Sequence, residues 1–277
     1  MDGHRLPVSR VDGVNAEEPL QRVADLPGVG AAVADTRTVV DRLLGHRILR
    51  RRSSDVSMES ALRGARASAV LDGADAGLEE VRAGRSGDPR IKGALRVSGE
   101  LGLLAETWPK APRQVLARLH ALAAADGAGA EELGRPRTGS EPARDPLGVG
   151  PAPGAAEVAA RLDALDGLLA ARAAVPALVV GAVVHGELAA LRPFGWGDGM
   201  IARAAERLTL IARGLDPKSL VPTELGYLEL HEEYGPALRG YLTATPEGVG
   251  DWVAFCCRAV AAGARDSLAT CEALQRG

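Results

Sequence analysis

Arg192-Pro193-Phe194-Gly195-Trp196-Gly197-Asp198-Gly199-Met200-Ile201-Ala202-Arg203 joins two segments of helical periodicity, and its reading decides the fold. Pro193 and Phe194 set a turn after the apolar run 178–191. Gly197 and Gly199 leave the backbone free for positive φ and for close approach to an anion. The run Met200-Ile201-Ala202-Arg203-Ala204-Ala205-Glu206-Arg207-Leu208 then starts a helix. The unpaired N–H groups and dipole of such a helix start favour negative charge. The plain alternative is an ordinary turn between two helices.

The surroundings of this loop are helical almost throughout. Periodicity places helices at Val29–Leu44, Met58–Val70, from Leu78, at Lys92–Trp108 and around Val115–Leu122. It places others at Glu157–Leu169, Leu178–Leu191, Ile201–Ile211, Glu224–Leu242 and Val249–Leu274. Residues 1–22 are polar and aperiodic and are expected to be disordered. Residues 126–153 are rich in Gly, Pro, Arg and Asp and form the longest break. A loop of that length inside a compact domain is usually functional or mobile. No strand alternation stands out, except for short pieces in the 133–150 stretch that would suit a β-hairpin flap. The expected architecture is all-α.

Composition narrows the function. The chain has 277 residues, 46% hydrophobic, with a formal net charge of −3. That length buries one sizeable core. The near-neutral balance argues against a nucleic-acid or membrane-surface binder. Three Trp, three Tyr and two Phe are the only aromatic residues, so the core must pack through small aliphatic side chains. No apolar run reaches the ~18–20 residues of a membrane span, and Met1-Asp2-Gly3-His4-Arg5 lacks the pattern of a signal peptide. Cys256, Cys257 and Cys271 have no metal-pair spacing and read as free thiols in a reducing cytoplasm. The expected localisation is cytoplasmic.

The loop resembles the Fic-family signature H-P-F-x-[D/E]-G-N-G-R-x-x-R. Pro193, Phe194, Gly197, Gly199 and Arg203 stand at its positions. Arg192 replaces the His, Trp196 the acid, Asp198 the Asn and Met200 the first Arg. Pro151-Ala152-Pro153 and the helix with Val158, Leu162 and Leu165 resemble the family's stretch leading into its core. Ala182–Leu191, with His185, resembles its A-x-x-H-x-x-F-x-x-I helix. Tyr227–Leu230, Tyr234–Tyr241 and Trp252–Phe255 resemble its closing helices.

The resemblance implies a Fic-like helical bundle over residues 90–277. A 23–89 helical region would precede it, with a helix of inhibitory type. In active relatives the His is a general base, the acid holds Mg²⁺, and the glycines and arginines hold nucleotide phosphates. Arg192 stays protonated and cannot be that base. Trp196 cannot ligate a metal, and Asp198 is a weak substitute. His185, two helical turns before Arg192, reads as a packed helix residue. Gly197, Asp198, Gly199 and Arg203 are left to hold phosphate, so ATP or another nucleotide is the implied ligand and Mg²⁺ fits poorly. Ser68-Ala69-Val70-Leu71-Asp72-Gly73 resembles the inhibitory [S/T]-x-x-x-E-[G/N] motif, in which Asp72 would pair with Arg203. Gly134-Arg135-Pro136-Arg137-Thr138 resembles the segment before the target-binding flap, so a protein target or regulator would dock along 133–150.

The expected function is therefore nucleotide or phosphate binding, or regulation, without ordinary AMP transfer. The alternative is an active nucleotidyl- or phosphotransferase acting on a protein hydroxyl with rearranged residues. The sequence leaves the oligomeric state open.

Overall fold

The computed structural model describes residues 17–139, 143–170 and 174–276. Among them run twelve α-helices and no strand. Their ranges are α1 Glu17–Ala24, α2 Val29–Leu44, α3 Leu49–Leu71, α4 Leu78–Arg82, α5 Pro89–Leu104 and α6 Pro112–Ala124. Then follow α7 Ala155–Ala170, α8 Ala177–Leu191, α9 Asp198–Ala212, α10 Thr223–Glu229, α11 His231–Leu242 and α12 Pro246–Arg276. None of the described helices is long and apolar enough to cross a membrane.

The centre is α8, whose residues from Leu178 to Leu191 are all buried. A helix apolar on every side has no solvent face and must be enclosed by others. Its small residues allow this. A Cβ at Gly186 would stand 2.8 Å from Trp252 Nε1, and one at Gly181 would stand 3.3 Å from Glu206 Cγ. α9 and α12 therefore lie against α8 at short range. α9 folds back beside α8 through the glycine-rich loop, and α5 and α6 cover its far side. The 31-residue α12 runs past α2, α8, α10 and α11. α3 lies against α5 and α10, which brings its C-terminal end to α9.

Three sequence expectations need correction. Residues 1–16 lie outside the described residues, but Glu17–Ala24 is a helix rather than a disordered stretch. Leu20 and Val23 are buried and pack it onto the body, so tertiary contact outweighs a polar local composition. The single helix expected over Glu224–Leu242 is broken at Leu230, at φ −99° and ψ 25°. Neither Gly nor Pro marks that break. It serves two tyrosines seven positions apart, whose rings would be about 10 Å apart along a straight helix. The break lets the Tyr227 and Tyr234 rings stack at 5.0 Å. Finally, the described part of 133–150 forms no hairpin. It ties to the glycine-rich loop through Arg137 N–Pro193 O (2.8 Å) and Arg144 N–Gly195 O (3.2 Å).

In the basic run Arg47, Arg50, Arg51 and Arg52, Arg47 lies in the link before α3 and the other three form the start of α3, which is kinked at Arg52; Arg47, Arg50 and Arg51 are exposed. Arg47 donates to Gln275 Oε1 at 3.1 Å and Arg52 to Leu274 O at 3.5 Å. Both cations thereby sit at the negative end of the α12 dipole.

Candidate functional site

The site is built where α9 begins. Gly197 precedes the helix in the left-handed region (φ 69°), a conformation that a Cβ would strain. The amides of the first turn of α9 have no intrahelical acceptor and point out of its N-terminus. Beside them opens a cavity of about 320 Å³, within the range of small-molecule sites. Its wall includes Gly197–Gly199, Trp196, Met200 and Ala189, with Pro146, Leu147 and Val149 from the 143–150 loop.

Asp198 borders the cavity, with one oxygen turned back into the loop. Its Oδ1 accepts the Phe194 N–H at 2.9 Å, closing the loop on itself. Oδ2 is buried with no partner among the described residues. Burial pushes its pKa up to about 7, against the pull of the Phe194 and Gly195 amides. The carboxylate thereby fastens the loop through Oδ1.

Arg192 caps α8 at φ 44°, ψ 60°, a left-handed conformation rare outside glycine. That turn sends its side chain toward the 143–150 loop. Nη2 donates to Gly150 O at 2.5 Å and Nη1 to Arg144 O at 3.5 Å, with Asp145 Oδ1 also 3.5 Å away. Asp145 in turn accepts the amides of Val149 (3.0 Å) and Gly150 (2.8 Å). Burial lowers the Arg192 pKa and Asp145 works against that. Arg192 thus holds a loop closed where the resemblance would place a base.

The expected meeting of Asp72 with Arg203 is present. Arg203 Nη2 donates to Asp72 Oδ1 at 2.6 Å and to Ser68 O at 2.9 Å, while Nε donates to Ser68 Oγ at 3.1 Å. The pair is nearly dry, with side-chain exposures of 2% for Arg203 and 10% for Asp72. Burial works against the Arg203 charge, yet Asp72 and Tyr234 together raise its pKa above the usual guanidinium value. Gly73 follows at φ 92°, ending α3 in the left-handed cap typical of glycine. Gly199 is fixed by the same contact, because a Cβ there would lie 2.6 Å from Asp72 Oδ1. Arg203 was expected to face phosphate. Its donors are instead held by the end of α3, and it does not line the cavity.

The cations that do line the cavity are Arg90, Arg144 and Arg192. Sequence reasoning missed Arg90 and did not single out Arg144. Arg90 sits in the first turn of α5, clamped by Asp88 at 2.8 and 3.0 Å, and only tertiary packing brings it near Asp72. Arg144 lies in the stretch already marked as a flap. Arg137, from the same stretch, staples the flap to the end of α8 through Arg192 O (2.9 Å), Leu191 O (3.2 Å) and Pro153 O (3.0 Å). Arg135, also expected on the flap, lines a second hollow between the flap and Trp196.

His185 is a core residue, as its helix position suggests. Its Nδ1 is 3.0 Å from Glu206 Oε2 and its Nε2 2.5 Å from Tyr234 Oη. Tyr227 donates to the same carboxylate at 2.8 Å. Ligand atoms of His185, Glu206 and Cys256 lie within 4.8 Å of one another, a spacing that could hold a metal. The imidazole and the carboxylate are satisfied by each other and by the tyrosines, however, so the cluster is a closed hydrogen-bond network. His120 stacks on Phe194 at 4.4 Å and accepts the Gly134 N–H, with its pKa lowered by burial to about 4. It remains a neutral prop beneath the loop. Lys218 is exposed and is not among the residues lining the cavity, and all three cysteines are buried.

No family model and no curated protein sequence matched the chain. Solved structures did. One is the crystal structure of a Fic family protein from Desulfovibrio desulfuricans G20, with a TM-score of 0.68 and 21% identity. The match covers 86% of this chain and 74% of that one. At that identity the likeness carries the architecture alone. The chain has the all-α fold of a Fic family protein.

Proposed function

We propose that the chain binds a nucleotide or a similar phosphate ligand in the cavity at the start of α9, and does not carry out ordinary AMP transfer. The observation that carries this reading is the Asp72–Arg203 pair at 2.6 Å, set beside a glycine cradle that is still built. The cradle offers the first-turn amides of α9 to an anion. Asp72 occupies the guanidinium that would otherwise turn toward it. The end of α3 thereby acts as an inhibitory cover, and its release would hand Arg203 to the ligand.

Transfer needs a group that takes a proton from the attacking hydroxyl. Arg192 has no such capacity, and its donors are engaged by Gly150 and Arg144. The rival reading, an active transferase, would have to use Asp198, whose pKa of about 7 suits a base. Its Oδ1 is already committed to Phe194 N and its Oδ2 is sealed from solvent, which favours binding without transfer.

Calorimetric titration with ATP, ADP and GTP, on the wild type and on Asp72→Ala, tests the reading. Binding that tightens in the variant supports it. Absence of binding in both removes it. Nucleotide-labelled protein bands that disappear in Arg203→Ala would establish the rival.

A further inference from the structure

Among the described residues three carboxylates line the cavity, and each has at least one oxygen engaged. Asp72 neutralises Arg203 at 2.6 Å. Asp145 accepts the Val149 amide on Oδ1 and the Gly150 amide on Oδ2, and also faces Arg192. Asp198 closes the loop through Phe194 N, and its second oxygen is out of contact with solvent. Its raised pKa of about 7 means that the carboxyl carries only part of a charge near neutrality. Mg²⁺ requires near-octahedral oxygen ligands and is usually held by one or two free carboxylates plus phosphate. Mg²⁺ does not fit the donor set of this cavity. Recruiting Asp72 or Asp145 would undo Arg203 or the 145–150 turn, and Asp198 has only its buried Oδ2 to offer.

The cations differ in the opposite sense. Arg90 is clamped by Asp88, and Arg192 is turned onto the 143–150 loop. Arg144 has no ion pair among the described residues and is exposed at the cavity rim. Its guanidinium carbon lies 6.0 Å from the centroid of the Trp196 ring, at the outer edge of cation–π range. The indole beneath it is a fixed platform. It packs so closely on Gly127 that a Cβ there would run into the ring. The backbone is fixed as well, because Arg144 N donates to Gly195 O at 3.2 Å. Trp196 occupies the position that the family resemblance gives to a metal-holding acid. A planar guanidinium is well suited to bidentate recognition of phosphate oxygens.

We infer that the cavity takes its phosphate ligand without a divalent cation, the Arg144 guanidinium on Trp196 supplying the positive charge that a metal would otherwise bring. This rests on the reading of the cavity as a phosphate site and adds the means of charge neutralisation to it. Arg144 and Trp196 are then the residues that set ligand affinity, together with the amides of α9.

The test uses the full chain, with ATP and ADP as probes, titrated once in excess Mg²⁺ and once in excess EDTA. It is run on the wild type, Asp72→Ala, Arg144→Gln, Arg144→Lys and Trp196→Glu. The expected result is equal affinity in the two media for the wild type and Asp72→Ala. Arg144→Gln should lose about tenfold or more in both media, the range of a charge-assisted hydrogen bond. Arg144→Lys should fall between, since it keeps the charge and loses the fork. Trp196→Glu should bind weakly in EDTA and recover with Mg²⁺. Thermal melting of Arg144→Gln should match the wild type, which separates lost binding from lost folding. Binding that vanishes in EDTA and returns with Mg²⁺ would overturn the inference and leave the phosphate site standing. So would binding indifferent to Arg144→Gln. Absence of binding in both the wild type and Asp72→Ala would overturn the phosphate site, and this inference with it.

Discussion

Asp72→Ala is the perturbation that separates an inhibitory contact from a merely structural one. It removes one partner of a pair in which Arg203 is 2% exposed and Asp72 10%. Breaking such a buried pair costs about 3–5 kcal/mol, because the remaining charge loses its compensation. Arg203 keeps Ser68 Oγ at 3.1 Å and Ser68 O at 2.9 Å, which places the cost near the low end, about 3 kcal/mol. For a chain of this size about 2 °C of Tm is lost per kcal/mol, so the melting temperature should fall by about 6 °C. Differential scanning calorimetry on the purified chain reads this directly. Asp72→Asn, which keeps the shape and an acceptor, should lose less. The stability cost should be accompanied by tighter ATP or ADP binding, since the freed guanidinium sits one helical turn inside the cradle. A shift below about 2 °C would refute the energetic argument. A full shift with unchanged ligand affinity would leave the pair as structural and refute the inhibitory role.

Other expectations follow from the same geometry. Gly199 lies in the helical first turn of α9, where alanine would ordinarily stabilise by about 1 kcal/mol; here its Cβ would meet Asp72 Oδ1 at 2.6 Å. Gly199→Ala should therefore destabilise the wild type but stabilise the Asp72→Ala background, and equal effects in the two would show that the contact is not formed. Asp198 has a pKa raised from 3.8 to about 7, so its contribution to stability is full below pH ~4 and is lost as pH rises through 7. That span corresponds to about 4 kcal/mol at most. Asp198→Asn keeps an oxygen for Phe194 N–H, and its Tm advantage over the wild type should grow from pH 5 to pH 8; a constant difference would contradict the buried carboxylate. His120 behaves in the reverse sense, with its pKa lowered from 6.5 to about 4 by burial. The stability that it provides is present above pH ~6.5 and falls as the pH drops toward 4, so His120→Phe should flatten the acid limb of a Tm-against-pH curve.

Much of this architecture was legible in the sequence because its signals are local. The span Val29–Leu44 is marked by its own apolar face and coincides with α2. The glycines at 197 and 199 announce the loop, and Ser68 through Gly73 announce the end of α3. What stayed hidden depends on long-range contact. Glu17–Ala24 is helical because Leu20 and Val23 find a surface to cover, which no local pattern shows. The break at Leu230 is imposed by Tyr227 and Tyr234 converging on the Glu206–His185 pair. The direction of Arg192 follows from a left-handed φ that no residue near it predicts. Arg90 reaches the cavity only because α3 and α5 pack together, bringing it to Asp72 O at 3.4 Å.

The glycine-rich loop does not by itself argue for a ligand, because folding alone accounts for its shape. Asp198 fastens Phe194, Arg137 anchors Pro193 and the end of α8 from the flap, and His120 supports the Phe194 ring. Gly197 starts α9, and Gly199 makes room for Asp72. A loop so thoroughly held would persist whether or not anything bound beneath it. Arg144 is different. It holds no ion pair among the described residues, and its guanidinium lies at the cavity rim, 6.0 Å from the centroid of the Trp196 ring. A cation there adds little to folding, since an exposed cation–π contact is worth about 0.5–1 kcal/mol. Its effect on stability and its effect on ligand affinity can therefore be told apart, which is not true of Asp198, Arg137 or Gly199. The case for a working site rests more on that one arginine than on the motif that first draws the eye.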